Sequence, residues 1–272
     1  MKLGIVMDPI EAINPTKDTS LAMLLEAQAR GLTLYYMTLE SLYYQNPTVF
    51  AKVKIISVKD STTNWFSVIS EETIDITDLD VILMRKDPPF DMNYIHATYL
   101  LEHAEAAGCL VVNKAQSLRD ANEKMFTTWF PACCPRTLVS ADKTLLKDFI
   151  TSEQKAIIKP LDGMGGEGVH LVTPDLDELD IILSTLTCNY KTAIMAQQYL
   201  PEIVEGDKRI ILINGEPIPY CLARIPKPGH VKANLAAGGH GVTKPLSNRD
   251  MWLCKQIAPS LKAKGLWFVG LD

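Results

Sequence analysis

A lysine-bearing apolar strand that runs straight into a glycine-dense turn, AIIKPLDGMGGEGVHLV at residues 156–172, constrains this chain more than any other stretch. The first strand delivers Lys159, the turn holds Gly163, Met164, Gly165, Gly166 and Gly168, and a second strand over residues 169–172 leads away. Glycines allow backbone angles that other residues avoid and bring bare N–H groups close to a ligand. Such N–H groups beside an ammonium form a phosphate cradle. The letters also fit G-x-G-x-x-G, but the dinucleotide form of that pattern needs a helix directly after the glycines. Val169 and Val172 follow instead, so the stretch reads as a hairpin flap closing over phosphates. In a protein kinase the lysine lies on a strand after the glycine loop, whereas Lys159 precedes it. No G-x-x-x-x-G-K-[ST] occurs, which removes the P-loop. A flexible surface hairpin is the alternative on this stretch alone.

At 272 residues the chain is long enough for two or three lobes with a large core. Apolar residues make up 47% and charged residues 22%, the balance of an ordinary soluble globular protein. With a net charge of −5 and no long Lys/Arg block, neither nucleic acid nor a membrane surface is expected as main partner. Any basic site must be a local pocket. Cys109, Cys133, Cys134, Cys188, Cys221 and Cys254 lack C-x-x-C spacing, and the chain opens on a strand, KLGIVM, rather than a secretory leader. Reduced thiols in a cytoplasmic protein are the expectation. No apolar run approaches the roughly 18–20 residues that span a bilayer.

In chain order, residues 2–7 read as a strand, 19–30 as a helix capped by Asp18 or Thr19 and stopped by Gly31, and 32–37 as a second strand. This is the opening of an open α/β sheet. Residues 48–70 look like an antiparallel insertion with Trp65 and Phe66 packed on it. The buried-type strand at residues 80–84 runs into Arg85-Lys86-Asp87-Pro88-Pro89. Charges just past the carboxyl end of such a strand sit where open α/β sheets bind ligands; a solvated loop held by two prolines is the other reading. A helix (93–107) and a strand (109–113) complete this lobe.

Residues 117–130 read as a helix with Asn122-Glu123-Lys124 in its early turns. A strand near 137–139, a helix at 143–151, the lysine–glycine hairpin, a helix at 176–186 and a strand at 193–198 follow. That last strand exits through Gln197-Gln198-Tyr199-Leu200-Pro201. Free backbone groups beside Tyr199 and Leu200 suit the edge and face of an adenine ring, although a plain hinge fits as well. The last lobe opens with Gly206-Asp207-Lys208-Arg209 and an Asn214-Gly215 hairpin that puts Arg209 and Arg224 on opposite arms; exposed edge charges are the alternative. Residues 225–241, with six glycines and prolines, read as a mobile lid. A helix at 247–264 begins with Ser247 and Asp250 and stops at Gly265; residues 266–271 are a final strand.

Lysine, glycine flap, hinge and paired arginines in this order resemble the ATP-grasp carboxylate–amine ligases. Over its whole length the chain is similar to the bacterial glutathione synthetases. The matching strings are GIVMDP (4–9), DVILMRKDPPF (80–90), residues 113–119 with NEK (122–124), IKPLDGMGG (158–166), GDKR (206–209), PYCLARIP (219–226), NLAAGGHG (234–241) and FVGLD (268–272). The resemblance implies an α/β chain with α+β lobes: an ATP-grasp fold preceded by an open α/β pre-ATP-grasp domain. Residues 1–121 would be that N-terminal domain, 122–200 the central lid lobe, and 201–272 the C-terminal lobe, cut short at its metal-binding strands.

The same resemblance implies that γ-glutamylcysteine, glycine and ATP give glutathione, ADP and phosphate through an acyl phosphate. Lys124 and Lys159 would neutralise the α- and β-phosphates, the flap amides would close on the γ-phosphate, and Gln197, Gln198, Tyr199 and Leu200 would hold adenine. Asp207 would join the nucleotide site. Arg209 would meet charge on the transferring phosphoryl group; Arg224 would act with it and, together with Arg85, bind substrate carboxylates. Asn234 would bind substrate in the lid. Mg²⁺ would be held by Asp272 and by a Glu and an Asn on the strand after it, which these 272 residues do not include. A symmetric homo-oligomer, a tetramer by resemblance, is implied too. Another dipeptide-type ligase, and a nucleotide-binding module without catalysis, are the alternatives.

Overall fold

The computed structural model describes residues 1–86, 89–225 and 240–272. The chain divides into two units, Met1–Asp120 with Lys264–Leu266, and Ala121–Ala263 with Trp267–Asp272. The substrate residue expected at Asn234, and most of the expected lid, lie outside the described residues.

The first unit is built on four parallel strands, β1 (Lys2–Val6), β2 (Thr33–Met37), β6 (Val81–Met84) and β7 (Leu110–Val112), in the order β2-β1-β6-β7. An antiparallel extension is added beside β2 by β3 (Leu42–Gln45), β4 (Thr48–Val58) and β5 (Phe66–Asp75). Helix α1 (Thr19–Ala29) starts where the Asp18 carboxylate accepts the Leu21 N–H at 2.8 Å, and α2 (Met92–Ala106) starts on Asp91 in the same manner. Each cap satisfies an amide that the first turn leaves without a partner. Leu21 and Leu24 of α1 join one core cluster, while Ala97 and Leu101 of α2 join the other. The two helices therefore cover opposite faces of the sheet, and the crossover changes sides between β1 and β6. Open α/β sheets bind ligands at the carboxyl ends of such a strand pair. The short helix α3 (Ala115–Asp120) ends the unit, with Ser117 donating its hydroxyl proton to the Lys264 carbonyl.

Among its described residues, the second unit holds two antiparallel sheets of four strands. In one, β8 (Thr137–Ser140), β9 (Ala156–Pro160), β10 (His170–Val172) and β11 (Ile194–Gln198) run in the order β10-β9-β11-β8. Helices α4 (Lys143–Glu153) and α5 (Leu179–Leu186) cover one face, where Leu146, Ile150, Leu179 and Leu183 pack on Ala156, Ile158, Ile194 and Ala196. Alternation along β9 then sends Ile157 and Lys159 to the other face. In the second sheet, β12 (Asp207–Ile213), β13 (Glu216–Ile225), β14 (His240–Pro245) and β15 (Phe268–Leu271) run β14-β13-β12-β15. Its buried residues include Ile210, Leu212, Cys221 and Ala223, and helix α6 (Asn248–Ala263) packs on β13.

Several expectations needed correction. The helix expected over residues 117–130 breaks: α3 stops at Asp120, and only a 3₁₀ turn, Met125–Trp129, follows. Asn122 explains the break, because its Oδ1 accepts the N–H groups of Lys124 (3.0 Å) and Met125 (2.9 Å). A side chain that takes these amides offers the backbone an alternative to the helix. The helix expected from residue 176 begins at Leu179. Strand β14 has no counterpart in the sequence pattern, since its run of His, Gly, Val, Thr, Lys and Pro has little apolar alternation.

Ser247 and Asp250 form the anticipated helix start reciprocally: Ser247 N–H donates to Asp250 Oδ2 at 2.8 Å, and Asp250 N–H donates to Ser247 Oγ at 3.2 Å. Lys208 Nζ also reaches Asp250 Oδ2 at 2.7 Å. Burial opposes ionisation of this carboxyl, yet Lys208 and Ser247 outweigh it and hold the group below the usual aspartate range. Its contribution is therefore complete above the unfolded-state value and is lost as pH falls through the lowered folded-state value. Asp250→Asn should lower the unfolding free energy by about 1–3 kcal/mol near neutral pH. In urea titrations, the gap from wild type should close in acid.

Candidate functional site

Lys159 sits on the face of β9 away from α4 and α5, opposite Met195 in the ladder with β11. It is partly buried, and burial together with the neighbouring Lys124 holds its ammonium below the usual lysine range. Two cations placed close enough to resist each other's charge mark a site prepared for an anion. Lys124 arrives through the turn capped by Asn122. Its ammonium donates to the Gly163 carbonyl of the flap and to Glu123 Oε1 at 2.7 Å. Asn122 Nδ2 holds the Leu161 carbonyl at 3.2 Å. The NEK segment thus grips the first limb of the flap at two carbonyls, a role for Asn122 that the sequence reading missed.

The flap is a hairpin between β9 and β10, as expected, with residues 165–168 in its turn. Met164 is exposed, and its carbonyl accepts the Glu167 N–H at 3.0 Å. Gly163 and Gly168 lie against the ring of Pro160. A Cβ on either would come within 2.8 and 2.9 Å of that ring, and Gly168 also takes a φ of +66°. Bulkier residues there would push the flap off its strand.

The hinge differs from expectation in one respect. The N–H groups of Gln198 and Tyr199 are not free: they donate to the carbonyls of Arg136 (2.9 Å) and Lys155 (3.2 Å). Gln197 uses its side-chain amide on Thr137 Oγ1 at 2.9 Å. The strand keeps its pairing to its end, so its amides are occupied by neighbours, and Leu200, with its side chain exposed, is where the segment leaves the sheet.

Strand register assembles the second cluster. Asp207 pairs with Arg224 across β12 and β13, and Arg209 lies two residues further along the same face of β12. One step past the Ile210–Leu271 pair, Arg209 meets Asp272. Arg209 grips Asp272 with Nε and a terminal nitrogen, both at 2.5 Å. Arg224 grips Asp207 at 2.7 and 2.8 Å and reaches Asp272 at 3.1 Å. Gly270 lets the Arg209 stem lie over it, since a Cβ there would be 3.1 Å from Arg209 Cδ. Donating hydrogen bonds to the Asp272 carboxylate raises the Arg209 guanidinium's affinity for its proton. At Asp272, burial works against charge, but the two arginines outweigh it and hold the carboxyl below its usual range. Among the described residues, no three His, Cys, Asp or Glu side chains cluster as a metal set. Asp272 is already engaged by both arginines, so the described residues do not by themselves fit a divalent ion.

Arg85 belongs to the first unit, just past β6. Its guanidinium donates to Thr19 Oγ1 at 2.9 Å and Ser20 Oγ at 3.3 Å at the start of α1, and its neighbour Lys86 pairs with Asp8 at 2.7 Å. This is the β1–β6 crevice described above.

Family models describe residues 1–119 as a prokaryotic glutathione synthetase N-terminal domain and residues 123–272 as a prokaryotic glutathione synthetase ATP-grasp domain. The chain belongs to the prokaryotic glutathione synthetase family. Glutathione synthetases of Pseudomonas syringae pv. tomato and of Escherichia coli K12 are 54% and 53% identical to it over 272 residues. These alignments cover 100% of this chain and 85% and 86% of the relatives. Among solved structures, the D-cycloserine synthetase DcsG matches with a TM-score of 0.65 at 16% identity, over 98% of this chain and 83% of that one. The ATP-grasp ligase PsnB, in a complex with a minimal precursor, Mg and ADP, matches with a TM-score of 0.60 at 15% identity, over 100% and 83%. At such identities they show the fold, which is ATP-grasp. Membership makes the chain an ATP-dependent ligase of glutathione synthesis.

Arg224 is the buried member of the second cluster, so its removal leaves Asp207 without its bidentate partner. Arg224→Ala should cost about 3 kcal/mol in urea unfolding. Adding Asp207→Ala should restore part of the loss, which a double-mutant cycle would read as coupling.

Proposed function

We propose that the chain joins γ-glutamylcysteine to glycine with ATP, giving glutathione, ADP and phosphate. The observation that carries the reading is the meeting of Lys124, Lys159 and the glycine flap in one place. Two partly buried ammoniums under a hairpin of small residues fit a polyphosphate tail. Leu200 and the end of β11 supply an apolar surface for adenine, with Gln197, Gln198 and Tyr199 shaping it. Since the Gln198 and Tyr199 amides are occupied, base recognition falls to the Leu200 N–H, to carbonyls and to side chains.

In this reading the cysteinyl carboxylate of the dipeptide attacks the γ-phosphorus, and the bond to the β-γ bridging oxygen breaks to leave ADP. The glycine amine then attacks the acyl carbon, phosphate departs, and the amine loses a proton. Arg209 stands where charge grows on the transferring group and on the tetrahedral intermediate, and prearranged cations of this kind lower such barriers. Arg224 and Arg85 carry the positive charge that substrate carboxylates need. Asp207 holds Arg224 in place. Any Mg²⁺ would be held chiefly by the oxygens of the triphosphate it arrives with, since Asp272 is engaged by Arg209 and Arg224. Asn234 would bind substrate, and a lid over residues 225–241 would keep water from the acyl phosphate. A cytoplasmic homo-tetramer completes the proposal.

Phosphate release from ATP with γ-glutamylcysteine, with and without glycine, tests the reading on this chain. Lys159→Ala should weaken ATP binding about 10- to 100-fold. Arg209→Ala should leave ATP binding near wild type and lower kcat by about 10²- to 10³-fold. Glycine-independent turnover, or equal ATP affinity in the lysine variant, would contradict it.

A further inference from the structure

Glu123 has no part in the scheme above, yet it stands among the cations that carry it. Its carboxylate accepts from Lys124 Nζ at 2.7 Å. Its charge is also felt at Lys159 and at Arg209. Neighbouring residues on a helix do not face each other. Here the Asn122-capped turn replaces the helix, so residues 123 and 124 can pair.

Exposure separates the two partners. The Lys124 side chain is 13% exposed, fixed between the flap carbonyl and the turn, whereas Glu123 is 67% exposed. A half-solvated carboxylate can swing into water at little cost, since exposed ion pairs contribute about 0.2–1 kcal/mol. A carboxylate and a phosphate oxygen also make the same demand on an ammonium: both accept its N–H.

We infer that Glu123 is a positioning residue that competes with nucleotide phosphates for Lys124. It keeps the lysine aimed into the cluster before a polyphosphate arrives, and it is displaced when one binds. The exchange is one anion for another at a single ammonium, with no bond made or broken. It acts on the phosphate tail alone, so ATP, ADP and inorganic tripolyphosphate are weakened alike, and product retention is limited by the same carboxylate. The inference rests on the nucleotide reading of the site.

Calorimetric titration with inorganic tripolyphosphate and with ADP, in divalent-free buffer of low ionic strength, tests it on wild type, Glu123→Gln, Glu123→Asp and Lys159→Ala. Glu123→Gln should bind both probes about 2- to 5-fold more tightly, and the gain should shrink with added salt. Glu123→Asp, which keeps the charge, should stay near wild type. Glu123→Gln binding no tighter than wild type would overturn the proposal, and weaker binding would make Glu123 a partner of the ligand instead. Wild type that binds neither probe, or Lys159→Ala that binds as well as wild type, would remove the nucleotide reading and this inference with it. Glu123 is exposed, so the variants should fold, which circular dichroism and urea midpoints would show.

Discussion

Like charges gathered in one unit of a fold repel, and the second unit gathers Lys124, Lys159, Arg209 and Arg224. Three of them are held by acceptors. Lys124 donates to a flap carbonyl and to Glu123, while Arg209 and Arg224 are tied to Asp272 and Asp207. Lys159 bears the strain most openly, with its ammonium weakened by burial and by Lys124. A polyphosphate would relieve this repulsion. The carboxylates of Glu123, Asp207 and Asp272 offset only part of this gathered positive charge.

The backbone makes that arrangement inexpensive to keep. Alternation along β9 puts Ile158 into the core and Lys159 on the opposite face, so the packing that fixes the strand also fixes the cation. On β12, Asp207 and Arg209 share one face, while Lys208 turns towards Asp250 of α6. Cross-strand register then supplies Arg224 from β13 and places Asp272 beyond β15. No long loop has to be ordered to bring the second cluster together.

Much of this was legible in the sequence, for identifiable reasons. The glycine flap, the Asn214-Gly215 hairpin and the Ser247/Asp250 helix start are local signals, and each is present. Long motifs carried the family. What stayed hidden depended on contacts distant in sequence or on competition between hydrogen bonds. Asn122 looked like an ordinary helix residue until its carbonyl was found on two amides. The occupied amides of Gln198 and Tyr199 depend on Arg136 and Lys155, which no local pattern pairs with them. The pairing of Arg209 with Asp272 spans 63 residues and follows from strand order alone.

Lys159 stands in an electrostatic setting unfavourable to its charge, which a bound polyphosphate would correct. Carbon-13 NMR titration of the lysine Cε resonances, with Lys159 assigned by mutation, reads this directly with and without a non-hydrolysable ATP analogue. The free protein should show Lys159 titrating below the ordinary lysine range, and bound nucleotide should move it upward. A Lys159 that titrates at or above the ordinary value in the free protein, or that nucleotide leaves unmoved, would contradict the account.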